Sequence, residues 1–356
     1  MVLRNSAENN PQSTRRFLFD PTVTRSPQIT DLQRATLRGT ITPMLNPLRV
    51  PFPMCLSLLI AAWSYTLLAE STTSQKSGSS LPCDPSVATV ITAHRSPSPI
   101  IVDGRLNEAA WSTAQISPTF VDLISGKPTR FGTRVRLLWD DTDLYVAYQI
   151  EETRVRASLT NHNDAIYTEN DVELFIASDD AYYEFEINAR NTVYEVFFLW
   201  ESAYETGGFS SLPELNRKNL QPFNGVGFTT HPRGRRLGHF NWRFPGLKTA
   251  VYVDGTLNDD TDIDRGWSVE IKLPWAGMQA LEPKSKRSHP PQHGEEWRLD
   301  FSRFNTAKEA APAKDSGGWA LSPHGIWDSH VPECFARVRF STNTPSSKPV
   351  RKNTGK

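Results

Sequence analysis

The sequence predicts an all-β protein, an antiparallel β-sandwich of jelly-roll type with long decorating loops. Three observations carry this. Residues 171–200, "DVELFIASDDAYYEFEINARNTVYEVFFLW", alternate apolar and polar side chains at the two-residue period of paired strands. About ten such short runs recur along the chain with Asp, Asn, Gly or Pro between them. The 3.6-residue apolar period of an amphipathic helix is almost missing.

In chain order, "PIIVDG" (99–104) reads as a strand and "RLNEAAW" (105–111) as a short helical turn. "RVRLLWDDTDLYVAYQIEE" (134–152) reads as a hairpin turning at Asp140, Asp141, Thr142 and Asp143. In the next pair of strands Tyr183, Phe185 and Ile187 form a greasy face, while Glu184, Glu186 and Asn188 form a polar one. "LKTAVYVDG" (247–255) and "GWSVEIKLPW" (266–275) flank the acidic loop "TLNDDTDIDR", and "EEWRLDFSRF" (295–304) and "FARVRF" (335–340) close the set. Residues 201–246 and 276–294, rich in Gly, Pro, Asn and Arg, read as long loops at one end of the sandwich.

The flanks read differently. Residues 54–69, "MCLSLLIAAWSYTLLA", are an uncharged apolar run. At about 16 residues it is short for a spanning helix and suits the core of an export signal, a signal anchor that stays in the membrane being the rival reading. Taking Met44 as the start gives a signal peptide over 44–69 and leaves 1–43 as an unstructured extension or an over-long start. Residues 70–94 read as linker and N-terminal segment, 95–341 as the domain, and 342–356 as a disordered tail. The protein is therefore expected outside the cytoplasm: secreted, periplasmic or at the cell surface. Loss of Cys55 with the signal leaves Cys83 and Cys334, an even pair that an oxidising compartment would join as a disulfide.

Lys+Arg and Asp+Glu both number 39, so no net field draws nucleic acid or anionic lipid. The local clusters "RGRR" (233–236) and "KSKR" (284–287) sit in loop-like surroundings and read as solvated charge. The sequence holds neither HExxH nor GxSxG, so zinc-protease and serine-hydrolase chemistry have no signature.

Five elements in order resemble carbohydrate-binding module family 9. They are Val102-Asp103-Gly104-Arg105-Leu106-Asn107-Glu108-Ala109-Ala110-Trp111, "RVRLLWDDTDLYVAYQIEE", "NDVELFI", "YYEFEINA" and "GWSVEIKLPW". Their span, about 95–341, is similar to a larger secreted subgroup of family 9-like domains. The resemblance implies a DOMON-related sandwich that binds sugars without hydrolysing them. Members that hold sugar ends clasp the ring between two tryptophans over polar side chains. Carried over, the first aromatic is Tyr167, the strand carboxylate is Glu173, and the Arg-x-Asn of the next strand is Glu186-Ile187-Asn188. The second tryptophan is Trp327, and His324 stands where the family has Asn. The ligand-binding set is therefore Tyr167, Glu173, Glu186, Asn188, His324 and Trp327, with no catalytic residue. Such a set suits a pyranose, whose C–H face wants aromatic area and whose hydroxyl rim wants carboxylates and amides.

The remaining tryptophans of the domain divide by context. Trp111, Trp139, Trp267, Trp275 and Trp297 follow apolar strand patterns and read as core; Trp200, Trp242 and Trp319 lie in or beside loops, Trp319 as a structural residue. No cofactor is required, although some family members carry structural calcium. Asp260, Asp262 and Asp264 alternate like the start of an EF-hand loop. With Gly displaced to 266 and Ile271 in the twelfth place, an acidic hairpin loop balanced by Arg265 fits better. Expected partners are mono-, oligo- or polysaccharide ends and the glycoside hydrolases that such modules accompany. Two rival functions stay open. One is a glycoside-active enzyme using Glu173 and Glu186. The other is a DOMON-type haem protein, for which Met278 is the single mature methionine and His94 one of the histidines.

Overall fold

The computed structural model describes residues 80–284, 287–306 and 315–344. The segments read as extension and signal peptide, and most of the segment read as tail, lie outside the described residues. Fourteen strands form one sheet. They are β1 (Val90–Arg95), β2 (Val121–Asp122), β3 (Thr133–Trp139), β4 (Asp143–Glu151), β5 (Asp171–Ala177), β6 (Ala181–Asn188) and β7 (Val193–Trp200). They continue with β8 (Gln221–Phe223), β9 (Arg236–His239), β10 (Lys248–Asp254), β11 (Gly266–Pro274), β12 (Glu296–Phe304), β13 (Gly318–Ala320) and β14 (Ala336–Ser341). The main path runs β10-β11-β4-β3-β1-β14-β12-β5-β6-β7-β9-β8, with β13 on β12 and β2 on β13.

Three features differ from the sequence reading. The sheet begins at Val90, ahead of the expected boundary at 95, and β1 pairs parallel with both β14 and β3, so the sheet is mixed. Residues 99–104 are no strand. Gly104 turns the chain there with φ +85°, and a Cβ on it would meet the Val251 carbonyl carbon at 2.5 Å. The Asp103 and Gly104 amides donate to Glu270 Oε2 at 2.9 and 2.8 Å, and Trp111 Nε1 donates to Glu270 Oε1 at 2.7 Å. One carboxylate of β11 thus ties down both ends of the "DGRLNEAAW" motif.

The sheet bends over on itself. Val135 and Leu137 of β3, Val146 and Tyr148 of β4 and Val269 of β11 share one core with Leu174 of β5, Phe185 of β6, Leu199 of β7 and Phe301 of β12. Tyr148 donates its hydroxyl to the Glu173 carbonyl at 2.6 Å, joining two strands that stand far apart along the path. Each such apolar side chain contributes about 1.5–3 kcal/mol through burial, which is what closes the sandwich.

Loop readings needed correction too. The 201–246 stretch contains β8 and β9, and 276–294 begins in a 3-10 helix, Trp275–Leu281. Arg236 of "RGRR" is fully buried, donating to the His330 carbonyl at 2.6 Å; Arg233 and Arg235 pair with Asp180 and Glu201. Trp200 and Trp242 are buried along with the five strand tryptophans and Trp319. Cys83 and Cys334 form a disulfide with Cα atoms 5.8 Å apart, fastening the first described segment to the turn before β14.

Candidate functional site

Strand alternation sends Val172, Leu174, Tyr183, Phe185 and Ile187 into the core. The opposite face of β12, β5, β6 and β7 is therefore fixed as a grid. Ser302, Glu173, Glu186 and Tyr194 form one row across the four strands; Asp300, Phe175, Glu184 and Val196 form the next. Alternation alone leaves open whether such a face is wet; the structure buries it. Segments 223–231 and 323–335 roof it, and Phe175, Tyr182, Val196, Phe198 and Phe335 pack there as a second apolar cluster.

A cavity of about 330 Å³ remains between roof and floor. Its floor carries Glu173, Glu184 and Glu186, and its back is formed by Phe198, Phe223, Phe240 and His330. Tyr167, in the 3-10 turn Ile166–Thr168, stands over β7, meeting Tyr194 edge-on at 5.6 Å. Trp327 stands over β12 and β13, where its ring meets Phe304 at 5.0 Å and lies against Gly318. A Cβ at residue 318 would come within 2.7 Å of the indole. The two rings therefore stand at opposite sides of the carboxylate floor. At 53% and 38% they are the exposed aromatic side chains among the described residues.

The roof is held by Asp328, whose Oδ2 accepts from the amides of Val226, Gly227 and Phe228 at 3.0, 3.0 and 2.8 Å. Gly227 is required there, since a Cβ would lie 2.4 Å from the Trp327 carbonyl oxygen. His330 packs among Phe175, Phe198 and Phe223, and this burial depresses its imidazole to about 3. It is neutral at ordinary pH. Its Nε2 lies 3.4 Å from Glu184 Oε1 and its Nδ1 3.2 Å from the Tyr182 hydroxyl.

Burial pushes the Glu173 carboxyl up to about 8, against the opposing pull of Ser302. Burial also raises Glu184, with Glu173 and Asp328 adding to it, and Glu186, with Glu184, Asp171 and Glu173 adding. Ser302 Oγ is 3.0 Å from Glu173 Oε2 and 2.9 Å from Asp300 Oδ2. One hydroxyl proton serves one of them, so a protonated Glu173 completes the chain.

Of the residues predicted from sequence, Tyr167, Glu173, Glu186 and Trp327 come together in this cavity. Asn188 and His324 do not line it. Asn188 lies at the strand end and donates to the Leu159 carbonyl at 2.9 Å and to Glu169 Oε1 at 2.7 Å, which orders the loop leading to Tyr167. His324 is fully buried behind the floor, 2.8 Å from the Asp328 carbonyl and 3.3 Å from Asp300. Burial works against its charge, but Asp300 prevails and raises the imidazole. Glu184, Tyr194 and His330 were missed. The first two were available from the strand register, since they share the face of Glu186; His330 had no signal.

Asp260, Asp262 and Asp264 share no donor site. Asp260 pairs with Arg156, while Asp264 turns inward to accept from the amides of Val155 and Thr256, both at 2.6 Å. Asp262 is exposed. These residues do not fit a calcium loop. Met278 is fully buried in the main core, which commits its thioether to packing, and His94 caps the Asn343 carbonyl at 3.2 Å.

Residues 102–217 match the family described as carbohydrate family 9 binding domain-like. No curated protein sequence matches the chain. Among solved structures, a protein from Bacteroides uniformis described as carbohydrate-binding is 15% identical, with a TM-score of 0.45 over 71% of this chain and 100% of that one. A family 9 module from Caldicellulosiruptor kristjanssonii, solved with cellotriose, is 12% identical with a TM-score of 0.41 over 73% of this chain and 97% of its own. The same module solved with glucose gives 12% and 0.40 over 72% and 100%. Over residues 102–217 the β-sandwich described above is thus similar to the family described as carbohydrate family 9 binding domain-like.

Proposed function

We propose that the protein binds the end of a saccharide, without cleaving it, in the cavity between Tyr167 and Trp327. One observation carries the reading: two exposed aromatic rings flank a floor of carboxylates in a single cavity. The rings supply area for the C–H face of a pyranose, and Glu173, Glu184 and Glu186 supply partners for its hydroxyls. Burial favours the neutral form of the Glu173 carboxyl, and a neutral carboxyl both donates and accepts, which matches a hydroxyl.

The geometry favours holding over hydrolysis. A glycosidase places two carboxyl groups on either side of the scissile bond. Here Glu173 and Glu186 are directly paired neighbours on one face of one sheet, both approaching a ligand from below. Export is part of the proposal: the disulfide suits an oxidising compartment, and 44–69 reads as the signal that leads there. Outside the cell the natural ligands would be mono-, oligo- or polysaccharide ends, alongside the hydrolases that generate them in carbohydrate catabolism.

Calorimetric titration of the purified protein with a panel of neutral oligosaccharides tests this, with Trp327→Ala beside it. Binding that the variant weakens is expected. Heat unchanged by the variant, or none with any saccharide, would remove the assignment.

A further inference from the structure

Beside the cavity floor, one row along β5 from Glu173, lies a carboxylate that the saccharide reading does not use. Asp171 is the first residue of β5, on the same face as Glu173 and fully buried, and it does not line the cavity. One oxygen each from Asp171, Glu173 and Glu186 lie within 4.8 Å of one another. Exposures of 0%, 5% and 2% place all three out of bulk water. Both oxygens of Asp171 and Oε2 of Glu186 make no well-formed hydrogen bond, the backbone amides of Phe304 and Tyr167 acting as weak donors toward Asp171 and Glu186.

The positive charges that reach these carboxylates, Arg303 toward Asp171 and His324 toward Glu173, are paired elsewhere. Arg303, which acts on Asp171 from the far face of β12, is committed to Glu152 at 3.2 Å. His324 is committed to Asp300, and His330, beside Glu184, is neutral. Among the described residues no Lys or Arg forms an ion pair with Asp171, Glu173 or Glu186. From the roof, the Ser329 hydroxyl lines the cavity with only 5% exposure and no well-formed hydrogen bond, and lies near enough to Glu173 to favour its charged form. Buried like charges this close cannot all ionise without a counter-ion.

We propose that Asp171, Glu173 and Glu186 hold a divalent cation of the calcium class at the base of the cavity. Calcium takes six to eight oxygens at about 2.3–2.6 Å, from mono- or bidentate carboxylates, with water completing the shell. Three carboxylates on two hydrogen-bonded strands offer up to six such oxygens, held in place by the ladder. The cavity side leaves room for water, and Ser329 is placed to steady it. Asp171 is what distinguishes a metal from a protonated sugar amine. An amine held by the residues that line the cavity would meet Glu173, Glu184 and Glu186, whereas Asp171 does not line it.

The test is a calcium titration by calorimetry on protein stripped with EDTA, at pH 7.5 and without sugar. Terbium luminescence sensitised by the nearby aromatic rings serves as a second readout. One bound ion is expected, with affinity reduced at least tenfold by Asp171→Asn and by Glu186→Gln and unaltered by Asp262→Asn, each variant checked for folding by circular dichroism. Absence of calcium binding, or binding that both site variants leave intact, would overturn the proposal. So would the absence of calcium binding together with glucosamine binding that persists in Asp171→Asn, which assigns the carboxylates to an amine. The saccharide reading is scored independently, by the neutral glycan titration.

Discussion

Glu173 and Glu186 sit directly opposite each other across β5 and β6, both buried and both facing the same cavity. Cross-strand neighbours on one face have Cβ atoms only about 4.5–5.5 Å apart, and like charges there are destabilising. A fold that keeps such a pair out of water needs a proton or a cation for it. That requirement links the strand register to what the cavity can hold.

Trp327→Ala should weaken saccharide binding by roughly tenfold, the worth of one aromatic face at about 1.4 kcal/mol, with little effect on the melting temperature because the ring is partly exposed. Tyr167→Ala should act in the same direction. Calorimetry and thermal melts measured together check both halves.

Gly318→Ala should reach the same wall indirectly. The added methyl would lie 2.7 Å from the Trp327 ring and 2.9 Å from Phe304, so the indole must tilt. Binding should fall several-fold, with a shift in tryptophan emission, at a stability cost of about 1–3 kcal/mol. Unchanged affinity would mean that the ring position is immaterial.

Stability should decline between about pH 4.5 and 7, in part through Glu195. This residue, on the core face of β7, accepts the Phe244 amide at 2.7 Å, and burial raises its carboxyl from 4.5 to about 7 despite that bond and Arg243. The folded form binds the proton more tightly than the unfolded chain. The stabilisation is therefore complete below 4.5 and lost as pH rises through 7. His162, 3.1 Å from Glu195 and itself depressed by burial and Arg243, opposes part of it. Glu195→Gln should flatten this slope by on the order of 2 kcal/mol, as read from denaturant melts across the window.

Replacing Cys83 and Cys334 by Ser should destabilise the domain by ~5 kcal/mol in the chain-entropy view, given their separation of 251 residues. Because Cys334 belongs to the roof, proteolysis within 323–335 should appear before global unfolding. Limited digestion followed by mass spectrometry would detect it.

The sequence made the sandwich legible where alternation was long, as in 134–151 and 171–200, because period-two patterning fixes both strand and face. β8 and β9 were hidden: three or four residues each, interrupted by Pro222 and Gly238, leave no period to read. Tyr167 and Trp327 were found through a resemblance, while Glu184 and Tyr194 needed only the register. Asn188 and His324 could not be placed, since each is decided by a partner brought in by the fold, Glu169 for one and Asp300 for the other. That the polar face is a covered site and not a wet one also lay beyond the alternation itself. Its roof comes from segments 223–231 and 323–335, which alternation within 171–200 cannot reveal.

The six residues of β1 have a practical meaning for anyone who shortens this protein. They are the stitch between the two leaves, bonded to β3 on one side and β14 on the other. A truncation at residue 95 would unpick that stitch and free both edges to seek strands from neighbouring molecules. Cutting ahead of Cys83 instead keeps the stitch, the disulfide knot and the aromatic walls in one piece.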